Sequence, residues 1–170
     1  MRKPNIYALN ASTGALVWQY TAGGQVDSPA VANRMVYTGS IDGNVYALNA
    51  STGALVWKYT AGSQIESSPA VADGVVYIGS DDGLYALNAG TGALVWRYAT
   101  QNGVPKAPAL ANGLVYLCPW NGEIDALDAG TGVLVWKYAG SFTESSPVVA
   151  NGTLYAGSRG MVYAFHLPGH

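Results

Sequence analysis

The chain has 170 residues, 49% of them hydrophobic and only 11% charged, with 22 glycines, 12 tyrosines and 5 tryptophans. Eight basic against ten acidic side chains leave a net charge of −2, which excludes a basic domain drawn to nucleic acid or anionic lipid, and the apolar content excludes disorder. No run approaches the roughly 18 apolar residues of a membrane-spanning helix, and the single cysteine, Cys118, excludes an internal disulfide or a multi-cysteine metal cluster.

The basic Met1-Arg2-Lys3 is followed by no apolar run, so no secretory signal is read at the start. The first expected strand is IYALN (6–10), joined by an Ala-Ser-Thr-Gly turn to ALVWQY (15–20). Three complete units of four short strands follow. In the second of them the strands read SPAVA (68–72), VVYIGS (75–80), LYALNA (84–89) and ALVWRY (93–98), cut by Asp-Gly and Thr-Gly turns. From Ser145 three further strands run to MVYAF (161–165), the counterpart of IYALN. Helix signals are missing throughout.

Self-similarity organises these elements. Trp18, Trp57, Trp96 and Trp136 recur at spacings of 39, 39 and 40, in phase with Pro29, Pro69, Pro108 and Pro147. Aligning 5–43 with 44–83 across one gap gives 29 identities in 39 positions, the mark of recent duplication or consensus design. Four antiparallel strands in about 40 residues make one β-propeller blade.

The expected fold is therefore all-β: one propeller domain over 1–170, four blades per chain, closed by the N- and C-terminal strands. The blade units are about 26–59, 65–98, 105–138, and 145–170 plus 1–20. Blade stacking buries both faces of each sheet, which accounts for the continuous apolar runs LVYLC and ALVW. Small residues such as Ala30, Val31 and Ala32 suit an innermost strand crowded at the axis, with proline at its start. Because sheet edges invite pairing, the complementary terminal strands join either within one chain, as a four-bladed ring, or between two chains, as an eight-bladed homodimer.

The tract Ala-x-Asn/Asp-x-x-Thr-Gly-x-x-x-Trp appears at Ala8 to Trp18, Ala47 to Trp57, Ala86 to Trp96 and Ala126 to Trp136. It resembles the tryptophan-docking motif of the quinoprotein-type, pyrroloquinoline-quinone-like repeat propellers. Only Asp128 keeps the family's acid; Asn10, Asn49 and Asn88 replace it and can form the same turn. The resemblance implies that Trp18, Trp57, Trp96 and Trp136 stack on the next blade's motif, with Gly14, Gly53, Gly92 and Gly132 in its turns. It also implies rings of seven or eight blades, which favours the two-chain ring, and a bacterial, extracytoplasmic setting. Its non-catalytic members include the lipoprotein that assists outer-membrane protein assembly and the sensor domains of bacterial kinases.

Comparison of the repeats locates a variable face. The turns ANRM, ADGV, ANGL and ANGT are nearly uniform, whereas SIDG, SDDG, CPWNG and SRG on the opposite side are not. Asp27, Glu66, Lys106 and Glu144 precede the inner strands near the expected channel mouth, and Asp42, Asp81, Asp82, Trp120 and Arg159 lie in the variable turns. This mixed-charge rim suits a protein loop or small polar ligand. Read individually, the same residues also serve as solvated turn residues, and Trp120 serves equally well as a binding anchor or as packing over a neighbouring blade.

No catalytic, cofactor-binding or metal-binding residues are assigned. The chain lacks the adjacent cysteines of quinone enzymes, and no carboxylate set can be placed around calcium. His166 and His170 are too few for a metal site, no histidine matches the Ser-Pro serines as a base, and the glycosylation sequons at Asn10, Asn49 and Asn151 fall in repeat turns. The expected function is a non-catalytic binding scaffold. The alternatives are a fragment of a quinone-dependent dehydrogenase and a designed or truncated repeat protein.

Overall fold

A computed structural model describes residues 4–104, 106–143 and 145–166. Seventeen strands and no helix occur among the described residues. Strands β1 (Asn5–Leu9) and β2 (Leu16–Thr21) form a hairpin. The first four-stranded sheet is β3 (Ala30–Ala32), β4 (Met35–Gly39), β5 (Asn44–Asn49) and β6 (Leu55–Thr60). The second is β7 (Ala70–Ala72), β8 (Val75–Ser80), β9 (Gly83–Asn88) and β10 (Leu94–Ala99). The third is β11 (Ala109–Ala111), β12 (Leu114–Leu117), β13 (Ile124–Asp128) and β14 (Leu134–Tyr138), and three strands follow, β15 (Val148–Ala150), β16 (Thr153–Ser158) and β17 (Met161–His166). Every pairing is antiparallel between chain neighbours, the meander of a propeller blade.

The three-residue strands β3, β7, β11 and β15 approach one another in sequence and form the inner edge. The β1–β2 hairpin and the β15–β17 sheet form separate ladders. Asn33 and Arg34, Asp73 and Gly74, Asn112 and Gly113, and Asn151 and Gly152 all have positive φ, as the two-residue hairpin between the first and second strands requires.

The outer strand carries a feature that its sequence concealed. Register slips at Val17, Val56, Val95 and Val135, so that in the second copy Trp57 lies opposite Ala47 and Leu55 opposite Leu48, with Val56 as an extra residue. This β-bulge turns the indole inward and leaves Leu55 and Val56 both facing solvent. The apolar run LVYLC is buried as expected, but the run ALVW is not: its Leu and Val are about half exposed, and the bulge rather than double burial explains its unbroken apolar pattern.

Three of the indoles meet the next sheet at two points each. Trp18, Trp57 and Trp96 donate their ring N–H to the carbonyls of Ala50, Ala89 and Ala129, each at 2.9 Å. A Cβ on Gly53, Gly92 or Gly132 would come within 2.7 Å of these same rings, so only glycine fits there. Tyr37 and Tyr77 add their hydroxyls to the carbonyls of Ala89 and Ala129 at 3.1 Å. Between sheets lie apolar clusters, one of them built from Tyr37, Val45, Ile65, Ile78 and Leu87.

The third interface is keyed differently. Gly39 and Gly79 admit no Cβ, because it would lie 2.1 Å from Ile65 and from the carbonyl of Val104. Cys118 fills the corresponding place in the third sheet, buried in one cluster with Phe142. Phe142 stands one residue before the position of Ile65, and Thr143, which aligns with Ile65, is exposed.

Candidate functional site

The residues ahead of the inner strands converge. Asp27, Glu66 and Lys106, from three successive repeats, line one cavity of about 360 Å³ with Gln25, Val26, Ile41 and Ile65. Local bonding holds its walls. Asp27 donates its N–H to the Gly39 carbonyl at 3.2 Å and accepts the Thr38 hydroxyl on its own carbonyl at 2.9 Å. Its carboxylate accepts the Ser28 N–H at 2.6 Å and the Ser68 hydroxyl of the next sheet at 3.4 Å. Ser67 donates to the Lys106 carbonyl at 3.0 Å, tying the second sheet to the third. Two carboxylates and one ammonium at a mouth floored by Ile65 give a polar cleft of net negative charge suited to a cationic or dipolar group.

The other rim residues are not gathered there. Trp120 is 41% exposed in the turn after β12, its N–H 3.4 Å from the Gly103 carbonyl. Arg159 lines a separate cavity of about 670 Å³ with Ser145, Ser158 and Val162, beside the last sheet. Glu144 lies outside the described residues. Asp42 and Asp82 have structural partners: Gly23 donates to the Tyr46 hydroxyl, which donates to Asp42 at 2.6 Å, and Gly62, Tyr85 and Asp82 repeat the relay. Burial would raise the Asp42 carboxyl, but hydrogen bonds from Tyr46 and Asn44 outweigh it and hold the group below the usual carboxylate range. Arg97 pairs with Asp82 at 2.7 Å and covers the Tyr85 ring.

The third repeat inverts this relay, a feature that the sequence reading missed. Asp125 stands where Tyr46 and Tyr85 stand, and it accepts the hydroxyl of Tyr98 from the neighbouring sheet at 3.0 Å. It is 1% exposed; its other oxygen has no hydrogen bond among the described residues and lies 3.8 Å from the Lys137 ammonium, which bonds Glu123 at 2.9 Å. Burial raises the Asp125 carboxyl, and burial with the nearby Asp125 charge pushes Tyr98 up to about 12. Burial likewise pushes the Cys118 thiol up to about 12. The signal that could have found this cluster is the break in repeat identity at 118–125.

No group of three or more His, Cys, Asp or Glu side chains that could hold a metal occurs among the described residues. The one cysteine is enclosed against Phe142, so the residues present do not fit a quinone held by paired cysteines and calcium.

Successive four-stranded antiparallel meanders, joined along their short inner strands and wedged by buried indoles, define a β-propeller of tandem blades. The family model described as outer membrane protein assembly factor BamB matches residues 2–83 and 42–168, and the chain belongs to that family of PQQ-like repeat propellers. BamB from Moraxella catarrhalis superposes with a TM-score of 0.80 at 27% identity, over 91% of this chain and 50% of that one. The computationally designed Ika8 protein gives 0.86 at 20% identity, over 97% and 53%, and the designed Ika4 protein gives 0.77 at 21%, over 86% and 93%. The chain thus spans about half the length of the first two. Comparison with curated protein sequences gives no match.

Proposed function

We propose that this chain is a non-catalytic scaffold that presents the Asp27, Glu66 and Lys106 mouth to a segment of a protein partner or to a small polar ligand. The carrying observation is the convergence of three charged side chains from three repeats on one cavity whose walls are pinned by backbone hydrogen bonds. The family description, an assembly factor, supports a protein as the partner. In this reading the tryptophans dock blade to blade and keep the mouth rigid, Trp120 extends the contact surface, and two copies of the chain build one eight-bladed ring.

Amide chemical shifts of the labelled protein, titrated with a lysine-bearing pentapeptide and with its glutamate counterpart, test the mouth. The lysine peptide should move signals of 25–27, 41, 65–66 and 106, and the Asp27→Asn, Glu66→Gln double variant should lose the response. Shifts scattered over the outer strands, or none with either peptide, would remove the reading. Trp120→Ala should weaken partner capture while the melting temperature stays nearly constant; equal loss of both would assign Trp120 to packing.

A further inference from the structure

Unfilled features at the two ends of the blade array match one another. At one end Trp136 is only half-buried, unlike the other three motif tryptophans. The hydroxyl of Tyr116, itself fully buried, has no hydrogen-bond partner among the described residues, whereas its counterparts Tyr37 and Tyr77 reach an alanine carbonyl of the next sheet. At the other end the β1–β2 turn carries a complete docking motif on which none of the described residues is docked. Gly14 has the same φ of +70 as Gly53, yet among the described residues no neighbouring atom lies within 4 Å of the place its Cβ would take, where Gly53 faces Trp18.

The exposed apolar positions complete the match. Val162 is 76% exposed where its equivalent Val45 is at 0%, and Leu9 is 58% exposed where Leu48 is at 0%. At the third interface Trp136 and Tyr116 thus face β15–β17, which brings them no Thr-Gly turn, while the β1–β2 hairpin brings that turn without an indole, and each lies beside a cluster that already joins two sheets.

We propose that a second copy of this chain supplies the missing side, and that it does so by strand replacement. The β1–β2 hairpin of one copy completes the blade begun by β15 and β16 of the other, and β17, which holds the third-strand place that β1 takes, is displaced. Ala11 then offers its carbonyl to Trp136 and Tyr116, and Gly14 passes under the Trp136 ring, as Ala50 and Gly53 do for Trp18. Simple addition of β2 outside β17 would leave Trp136 without a Thr-Gly turn.

The superpositions favour a second copy over closure on itself. Nearly the whole chain superposes on about half of the Ika8 chain, and more closely than it does on Ika4, a chain of similar length. Two copies, each with three complete sheets and two partial ones, make eight blades with heterologous junctions that close.

This inference rests on the two-copy ring of the proposed function, and the test separates them. Native mass spectrometry and light scattering from micromolar to submillimolar concentration should give twice the 17.7 kDa chain mass. Hydrogen exchange should find Asn5–Leu9 as protected as β5 and β9, with Met161–His166 exchanging fast. Leu9→Asp, at a position exposed in the single chain, should return the particle to the single mass with unchanged circular dichroism, and Val162→Asp should keep the doubled mass. A single-mass wild-type particle overturns both ring and replacement. A doubled mass with β17 protected, and lost on Val162→Asp, overturns the replacement alone. Should Leu9→Asp lose its strand signal, exchange on the wild type still decides.

Discussion

Replacing Gly53 with alanine isolates the contribution of one indole contact, because the structure provides a matched control. Gly53 and Gly113 share nearly the same left-handed backbone, with φ of +70 and +72. Alanine at either place carries the same steric cost of a left-handed residue, about 1–2 kcal/mol. Around Gly113 none of the described residues comes within 4 Å of the new methyl, whereas at Gly53 it would lie 2.6 Å from the Trp18 ring, and the ring must move or the sheets part. Overpacking of that kind costs typically about 1–3 kcal/mol more. The Trp18 hydrogen bond to Ala50 would be stretched with it. Gly113→Ala should therefore lose about 1–2 kcal/mol and Gly53→Ala about 2–5 kcal/mol. For a domain of this size each kcal/mol corresponds to about 2–4 °C in melting temperature. Urea titration followed by tryptophan fluorescence and circular dichroism reads the difference. Equal losses for the two variants would refute the claim that the indole presses on the glycine.

Asp125→Asn tests the inverted relay. Burial raises the Asp125 carboxyl, so the folded chain holds this proton more tightly than the unfolded chain; the linked stability is present at low pH and is lost as pH rises through the folded pKa. The variant should gain on the wild type at pH 7, and the gap in urea midpoint should narrow as pH falls into the carboxylate range; a constant gap would refute the burial cause. Cys118, with a thiol pushed up to about 12 and 1% exposure, should resist alkylation at pH 8 and react at the rate of global unfolding; labelling faster than unfolding would place it in a locally opening segment. Arg34, at φ +63 in the first two-residue hairpin, stands where the second and third sheets have Gly74 and Gly113. Arg34→Gly should raise stability by about 0.5–1 kcal/mol in thermal melts, and a loss would mean that the arginine side chain contributes more than its strained backbone costs.

The strand content and the blade period were legible because two markers, tryptophan and proline, ran in phase, and because turn dipeptides separated every apolar run. In the second copy the expected SPAVA, VVYIGS, LYALNA and ALVWRY correspond to β7 through β10 with edges moved by a residue or two. The bulge at Val56 was not legible, since a buried run and a bulged run are both continuously apolar. The convergence of Asp27, Glu66 and Lys106 on one cavity could be anticipated from their places just ahead of the repeat prolines. The partnering of Asp42 by Tyr46 could not, because an aspartate in a tight turn reads as solvated until the ring four residues on is seen to fold back over it.

The exchange of glycine for cysteine at 118 has a consequence for how such genes can recombine. A module bearing Cys118 fits only ahead of a module that sets Phe142 one residue early, since the thiol side chain would strike an isoleucine placed as Ile65 is. The first two copies could trade places or be amplified almost freely, while the third is addressed to its successor and carries a fixed position in any lengthened or shuffled array.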